Sequence, residues 1–356
     1  MVRDAALLPI SLCMIVKNEA AFLNISLKSV VDAAIVNEIV VVDTGSTDNS
    51  AEIAKSYGAK VFDFEWINDF SAARNFAAEC ATNDWILLLD ADEEIDYADP
   101  KELQNFIVNP RHIGTALTVE LLDKSHNHAV KLYNRETHHQ TGSIHEQVVP
   151  RDFNLKTVML QTSLKYNHYG YLPEYGRTAS RLERNEKLLI SALEKDPNDP
   201  YLLFQLGKSY FYDSRDLQKA CKYFGEALAQ NPAPKLEYVY NLVECYGYAL
   251  INADKAAEAL QLREKYLKHY ELVIPFRFLS GHIFQSNAMF IEAVECYESC
   301  LGSNVEDFRG ITTFLSHYNI GVLCEVVGMK NEAVRCYEKC GDYAPAKARL
   351  AEMREG

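Results

Sequence analysis

Three apolar runs of the chain end in acids and amides. SLCMIV leads into Lys17-Asn18-Glu19, EIVVV into Asp43-Thr44-Gly45-Ser46-Thr47-Asp48, and WILLL into Asp90-Ala91-Asp92. The last pair has two readings. It is a solvated turn whose acid caps the next helix, or Asp90 and Asp92, on the same side of an extended segment, hold a divalent cation and a sugar nucleotide. In DTGSTDNS, Gly45 supplies a tight turn and Ser46, Thr47 or Asp48 can cap a helix. Asp43 is different, because it ends an apolar strand and is costly to bury unpaired; a carboxylate there can accept a hydrogen bond from the ring N–H of a base. Neither GxGxxG nor GxxxxGK[ST] accompanies these acids, so dinucleotide and P-loop chemistry lose ground. Further along, GSIHEQ (142–147) holds His145 and Glu146, and NHYGY (167–171) holds His168, a lone histidine of the kind that is usually packed or exposed.

The elements that carry these groups follow from periodicity. Trp85-Ile86-Leu87-Leu88-Leu89 lacks alternation, which fits a strand covered on both faces. Its acids then lie at the carboxyl end, where open α/β sheets bind ligands. SLCMIV, EIVVVD, AKVFDF, WILLLD and TALTVEL read as strands, alternating with helical segments at 19–33, 47–57 and 70–81. That order predicts a mostly parallel sheet with right-handed crossovers. After Tyr171 the pattern turns to helices broken by Asn-Pro and Asp-Pro, and repeats appear. EAVECYESC (292–300) and EAVRCYEKC (332–340) match at seven of nine positions, with Gly281 twelve residues before Ala293 and Gly321 twelve before Ala333. Gly207, Tyr210, Ala220, Phe224, Ala227 and Pro232 repeat the grammar with one inserted residue, and 236–270 is a weaker copy marked by Gly247 and Ala257. This resembles the tetratricopeptide repeat, in which helix pairs stack into a concave face. The expected domains are 1–171, α/β; 172–198, a helical linker; and 199–356, all-α repeats. The repeats either receive a peptide or only buttress or dimerise the catalytic half.

Composition narrows the partners. At 356 residues and 48% hydrophobic content, the chain can form two or three cores. A formal net charge of -14 disfavours a general nucleic-acid binder and an anionic membrane surface. No apolar stretch approaches the roughly 20 residues a membrane span needs, and MVRDAALLPI lacks a signal peptide's apolar core. A cytoplasmic location is expected. The nine cysteines form no CxxC pair; Cys296 with Cys300 and Cys336 with Cys340 lie four apart on helical sequence and read as buried core thiols in a reducing compartment. His126, His128, His138 and His139 show no zinc-ligand spacing.

VKNEA, VVVDTGSTDNS, DFSAARNFA and LLLDADEE, in this order, resemble the inverting glycosyltransferases of family 2, with a GT-A (Rossmann-like) fold, over about residues 8–170. WINDFSAARN, GSIHEQ and NHYGY, followed by the repeats, resemble a bacterial subgroup that includes the sublancin-type peptide S-glycosyltransferases of bacteriocin modification. The resemblance implies that Asn18, Glu19 and Asp43 bind the nucleoside, with Asp43 at uracil. Arg74 would lie near the base or diphosphate, unless it is a surface helix charge, and Asp69 either caps that helix or touches substrate. Asp90 would meet the ribose or donor sugar. Asp92 and His168 would hold Mn²⁺ or Mg²⁺, which an oxygen-rich site with one imidazole suits better than zinc. Many members use a Glu-Asp pair as the base; GSIHEQ departs from it, leaving Glu146 and His145, with Glu146 favoured. The implied reaction moves a hexose or N-acetylhexosamine from a UDP-sugar to a Cys, Ser or Thr side chain of a peptide or protein held by the repeats. A saccharide or lipid-linked acceptor and a non-catalytic peptide-binding scaffold are the alternatives, and self-association stays open.

Overall fold

The computed structural model describes residues 7–122, 126–170, 172, 178–214, 216–302 and 309–355. Two compact units emerge, Met1–Leu188 and Leu189–Gly356. The expected boundary at Tyr171 lies outside the described residues.

The first unit alternates β1 (Ile10–Val16), α1 (Ala20–Ala33), β2 (Glu38–Asp43), α2 (Ser50–Ser56), β3 (Lys60–Asp63), α3 (Phe70–Cys80) and β4 (Trp85–Leu88). β1 pairs in parallel with β2 on one side and β4 on the other, and β2 pairs in parallel with β3. Strand order therefore reverses between β1 and β4, the kind of switch point at which α/β sheets bind ligands. The unbroken apolar run of β4 has a physical reason: Trp85 and Leu87 pack with Leu23 and Leu27 of α1, while Ile86 and Leu88 face Ala77 and Ala78 of α3. Full burial of such side chains contributes roughly 2 kcal/mol each. Asp69 starts α3 by accepting the Ala72 N–H at 2.9 Å, as a helix cap does.

The remainder of this unit departs from simple βαβ order. β5 (Glu93–Tyr97), α4 (Pro100–Phe106), β6 (His112–Glu120), β7 (His126–Asn134), β8 (His138–Thr141), β9 (Gln147–Pro150) and β10 (Val158–His168) follow. The eight-stranded sheet runs β3-β2-β1-β4-β7-β6-β10-β5, with β7 antiparallel to both neighbours and β5 antiparallel to β10. β6 and β10 are parallel, so six of the eight strands share one direction. β8 and β9 form a separate hairpin.

The second unit is helical among its described residues. After α5 (Thr178–Lys195), which crosses from the first unit, come α6 (Pro200–Lys208), α7 (Leu217–Ala229), α8 (Glu237–Asn252), α9 (Ala256–Tyr270), α10 (Ile274–Ser286), α11 (Phe290–Glu298), α12 (Phe314–Val326), α13 (Lys330–Glu338) and α14 (Ala344–Glu355). The glycines of the repeats sit against aromatic rings of the following helix. A Cβ on Gly207 would meet the Phe224 ring at 2.5 Å, one on Gly281 the Tyr297 ring at 2.5 Å, and one on Gly321 the Tyr337 ring at 2.7 Å. The extra residue between Gly207 and Ala220 is absorbed by a π-helical turn, Ser209–Ser214, which widens the helix by one residue per turn. In the weaker repeat Gly247 instead meets Leu279 of α10. Its buried small residue is Ala259 and not Ala257, which is exposed; Ala259 stands at the twelve-residue spacing of the other copies. Cys300 and Cys340 are buried thiols, each donating to the carbonyl four residues back at 3.3 Å.

Candidate active site

Two loops at the carboxyl ends of β1 and β2 are stitched into one surface. Asn18, in the left-handed region at φ 57, accepts the Thr47 N–H at 2.7 Å, and its own N–H donates to Ser46 Oγ at 3.0 Å. Asp48 accepts the Ala20 N–H at 3.1 Å, and the Glu19 N–H donates to Ser50 Oγ at 2.8 Å. VKNEA and DTGSTDNS thus hold each other. Asp43 is buried, and the turn itself meets part of its need: Oδ1 accepts the N–H groups of Gly45 at 2.9 Å and Ser46 at 2.7 Å. Gly45, at φ 102, bends these backbone amides back onto Asp43 and so offsets part of the cost of burying its carboxylate.

Asp90 and Asp92 do not lie on an extended segment. β4 ends at Leu88, and a tight turn closed by Glu93 N–H to Asp90 O at 3.0 Å leads directly into β5. The turn sends the two acids to different partners. Asp90 faces Arg74 at 2.6 Å and Lys131 at 3.7 Å. Burial raises the cost of its charge, but Arg74 and then Lys131 override this and hold its carboxyl well below the usual range. Asp92 lies against His168, with Oδ2 3.5 Å from Nε2. Parallel register sets Glu120 of β6 beside His168 of β10, and its Oε2 is 2.6 Å from Nδ1. Burial opposes a charge on His168, yet hydrogen bonds to Asp92 and Glu120 outweigh it and raise its pKa to about 10; a metal at Nε2 would have to displace that proton.

Arg74 is no surface charge. Its side chain is 12% exposed and its guanidinium joins two carboxylates, Asp90 through Nη2 and Glu146 through Nε at 2.5 Å. The GSIHEQ loop is thereby tied to α3, and two further links reinforce it. The Phe70 N–H donates to Ser143 O at 2.9 Å, and the Asn75 amide pairs with the Gln140 backbone, giving 2.8 Å and accepting at 3.0 Å. Glu146 therefore points inward toward Arg74, whereas His145 is exposed at the loop tip with φ 52.

Asp92 and His168 suit a hard divalent ion. A histidine whose Nδ1 is held by a carboxylate aims Nε2 at a metal, and Mg²⁺-type ions take one or two protein ligands and complete their shell with water and phosphate oxygens. Among the described residues no three His, Cys, Asp or Glu side chains form a ready-made ligand set.

Sequence reading misses two participants, Glu120 and Lys131, and leaves Glu93 and Glu94 with loose roles, either behind the site residues or as charges at a helix start; both belong to β5. Glu93 accepts Lys131 Nζ at 2.6 and 2.8 Å, and Glu94 accepts the Tyr169 hydroxyl at 2.6 Å. The available signal is Lys131 itself, a lone charge in the strand sequence AVKLYN.

Switch-point acids, a reversed strand order and stacked helix pairs define the class: a GT-A α/β domain followed by tetratricopeptide-type repeats. Residues 11–164 match the glycosyl transferase family 2 model, and this domain is a member of that family. The chain is 34% identical over 256 residues to a TPR repeat-containing protein of Synechococcus elongatus, covering 68% of this chain and 62% of that one. It is 28% identical over 230 residues to the SPbeta prophage-derived glycosyltransferase SunS of Bacillus subtilis, covering 60% of this chain and 52% of that one. The chain thus spans about half to three-fifths of the length of these curated relatives. Among solved structures, YrrB, a TPR protein with an unusual peptide-binding site, aligns over 51% of this chain and 88% of its own, at 18% identity and a TM-score of 0.40.

Proposed function

We propose that the protein is an inverting glycosyltransferase that moves a hexose or N-acetylhexosamine from a UDP-sugar to a Cys, Ser or Thr side chain of a peptide or protein. The observation that carries the reading is Arg74. One guanidinium joins Asp90, at the switch point where a nucleotide ligand sits, to Glu146, the candidate base. The likeness to the glycosyltransferase SunS supports glycosyl transfer, and the resemblance of WINDFSAARN, GSIHEQ and NHYGY to the sublancin-type subgroup supports a peptide acceptor. No described helix is long and apolar enough to cross a membrane, as a bilayer-embedded acceptor site would favour.

In this reading the joined loops of Asn18 and Ser46 shape the nucleoside side, and Asp43 presents its carboxylate to the base while its Oδ1 steadies the Gly45–Ser46 turn. Asp90 orients the ribose or donor sugar. Glu146, held by Arg74, takes the acceptor proton as the acceptor atom attacks the anomeric carbon from the side opposite the leaving diphosphate; positioning and proton transfer supply much of the acceleration. Asp92 and His168 would hold Mn²⁺ or Mg²⁺, which supplies positive charge for the leaving diphosphate.

The test is incubation with Mn²⁺, a panel of UDP-sugars and candidate acceptor peptides, read by mass spectrometry. The expected result is a peptide mass shift of one sugar residue, lost in Asp92→Ala. Absence of transfer and of donor hydrolysis across the panel rejects the reading.

A further inference from the structure

Lys131 is a charged side chain at the start of the buried stretch of β7, residues 131–134. Its neighbours Val130 and Leu132 pack on opposite sides of the sheet, Leu132 being fully buried. The lysine itself is 8% exposed at its side chain. An ammonium is expensive to bury without partners, so its surroundings show what it is for. Nζ lies 2.6 and 2.8 Å from the two Glu93 oxygens, 3.7 Å from Asp90 Oδ2, and 5.4 Å from the centre of the Tyr166 ring. Glu93 Oε2 in turn accepts the Asp90 N–H at 2.9 Å. The ammonium and its carboxylate therefore grip Asp90 twice, once at the side chain and once at the backbone, immediately before Asp92.

We propose that Lys131, together with Glu93, is a positioning residue for the donor site: it sets the Asp90-Ala91-Asp92 turn from beneath, so that Asp90 meets the donor and Asp92 turns to His168. A simple core ion pair would need only Glu93 opposite Lys131. The contact with Asp90 and the bond from Glu93 to the Asp90 N–H add a link to the turn that a packing role does not require. This inference rests on the donor reading given above for what the turn binds, but not for how the turn is held.

The experiment compares the full-length protein with Lys131→Met, Lys131→Arg and the charge-balanced pair Lys131→Met/Glu93→Gln. Removing lysine alone strands a buried carboxylate and threatens folding, whereas the double change replaces a buried ion pair by neutral groups, which proteins often tolerate without loss of stability. The first readout is amide hydrogen exchange with no ligand present. In the double variant, exchange should rise in residues 89–93 while β6 and the rest of β7 keep their protection, and Lys131→Arg should restore the turn. Unchanged exchange in the turn, or a rise spread evenly over the sheet, overturns the proposal. The second readout is calorimetric binding of UDP with Mn²⁺, which the double variant should weaken roughly tenfold or more, the scale seen when partners behind a ligand-holding group are removed. Binding equal to wild type also overturns it. If the wild-type protein binds none of UDP, GDP or CDP, the donor reading fails, and hydrogen exchange alone decides the role of Lys131.

Discussion

Replacing Arg74 by methionine keeps an unbranched apolar stem and removes both of the guanidinium's bonds. Glu146, 15% exposed, then loses the guanidinium that accounts for its inward position, and Asp90, 39% exposed, loses the nearer of its two cations. Stranding one member of a buried pair costs about 3–5 kcal/mol. The Asp90 share must be discounted, because water screens a group so exposed and Lys131 remains 3.7 Å away. The Glu146 share, a hydrogen bond to a charged group, is about 2–3 kcal/mol. The expected loss is therefore about 3 kcal/mol, or about 6–12 °C in Tm for a unit of this size. The assay is urea unfolding followed by tryptophan fluorescence, since Trp66 and Trp85 are the only tryptophans and both belong to the first unit. Adding Glu146→Gln should recover more than half of the loss by removing the stranded charge, while transfer stays abolished. A loss below about 1 kcal/mol in Arg74→Met, or no recovery in the double variant, would refute the view that one buried guanidinium holds the two sides of the site together.

Three other outcomes are expected. Glu38 is buried at the opposite end of the sheet; burial opposes its charge, but Lys60, Ser11 and the Thr82 N–H outweigh this and lower its pKa from 4.5 to about 2. Because the folded value is depressed, its contribution of about 3 kcal/mol is present above pH 4.5 and lost as pH falls towards 2; Glu38→Gln should flatten that limb of an acid titration followed by tryptophan fluorescence. Gly281→Ala would place Cβ 2.5 Å from the buried Tyr297 ring, an overpacking cost of about 1–3 kcal/mol that exceeds the roughly 1 kcal/mol gained by alanine in a helix. Gly225→Ala, which meets only the Tyr246 hydroxyl at 3.2 Å, should be neutral or stabilising in the same circular-dichroism melt. Asp92→Ala removes the buried partner of His168 and should cost about 1–3 kcal/mol in urea unfolding, and the folded variant should lose Mn²⁺ binding measured by titration; unaltered metal affinity rejects the pairing of Asp92 with His168 as ligands.

How far the site was legible depends on how far apart in sequence its bonds reach. The β1–β4 half shows itself because each strand must be apolar on both faces and each crossover helix on one, so local periodicity carries the signal. The helical half shows itself for the same reason: Gly281 and Tyr297 are sixteen residues apart and belong to one helix pair, and that spacing recurs. β5, β8 and β9 are four or five residues long and read EEIDY, HHQT and QVVP; no apolar alternation marks them, β5 being placed by the distant β10 and β8 and β9 pairing only with each other outside the main sheet. The reading of Asp90 and Asp92 as neighbours on one extended stretch fails at this boundary, since β5 begins at Glu93 and forces the chain to turn. Arg74 and Glu146 are 72 residues apart, and Lys131 and Glu93 are 38 apart; neither pairing has a local signature, and each exists only once β7 and the β8–β9 hairpin are folded against α3 and β5. A lysine in AVKLYN nevertheless carries information, because an ammonium between two core residues requires a carboxylate, and the nearest unexplained acids were those after WILLLD. Counting buried charges that lack a sequence-local partner is therefore the step that would have led from the motif acids to the residues that hold them.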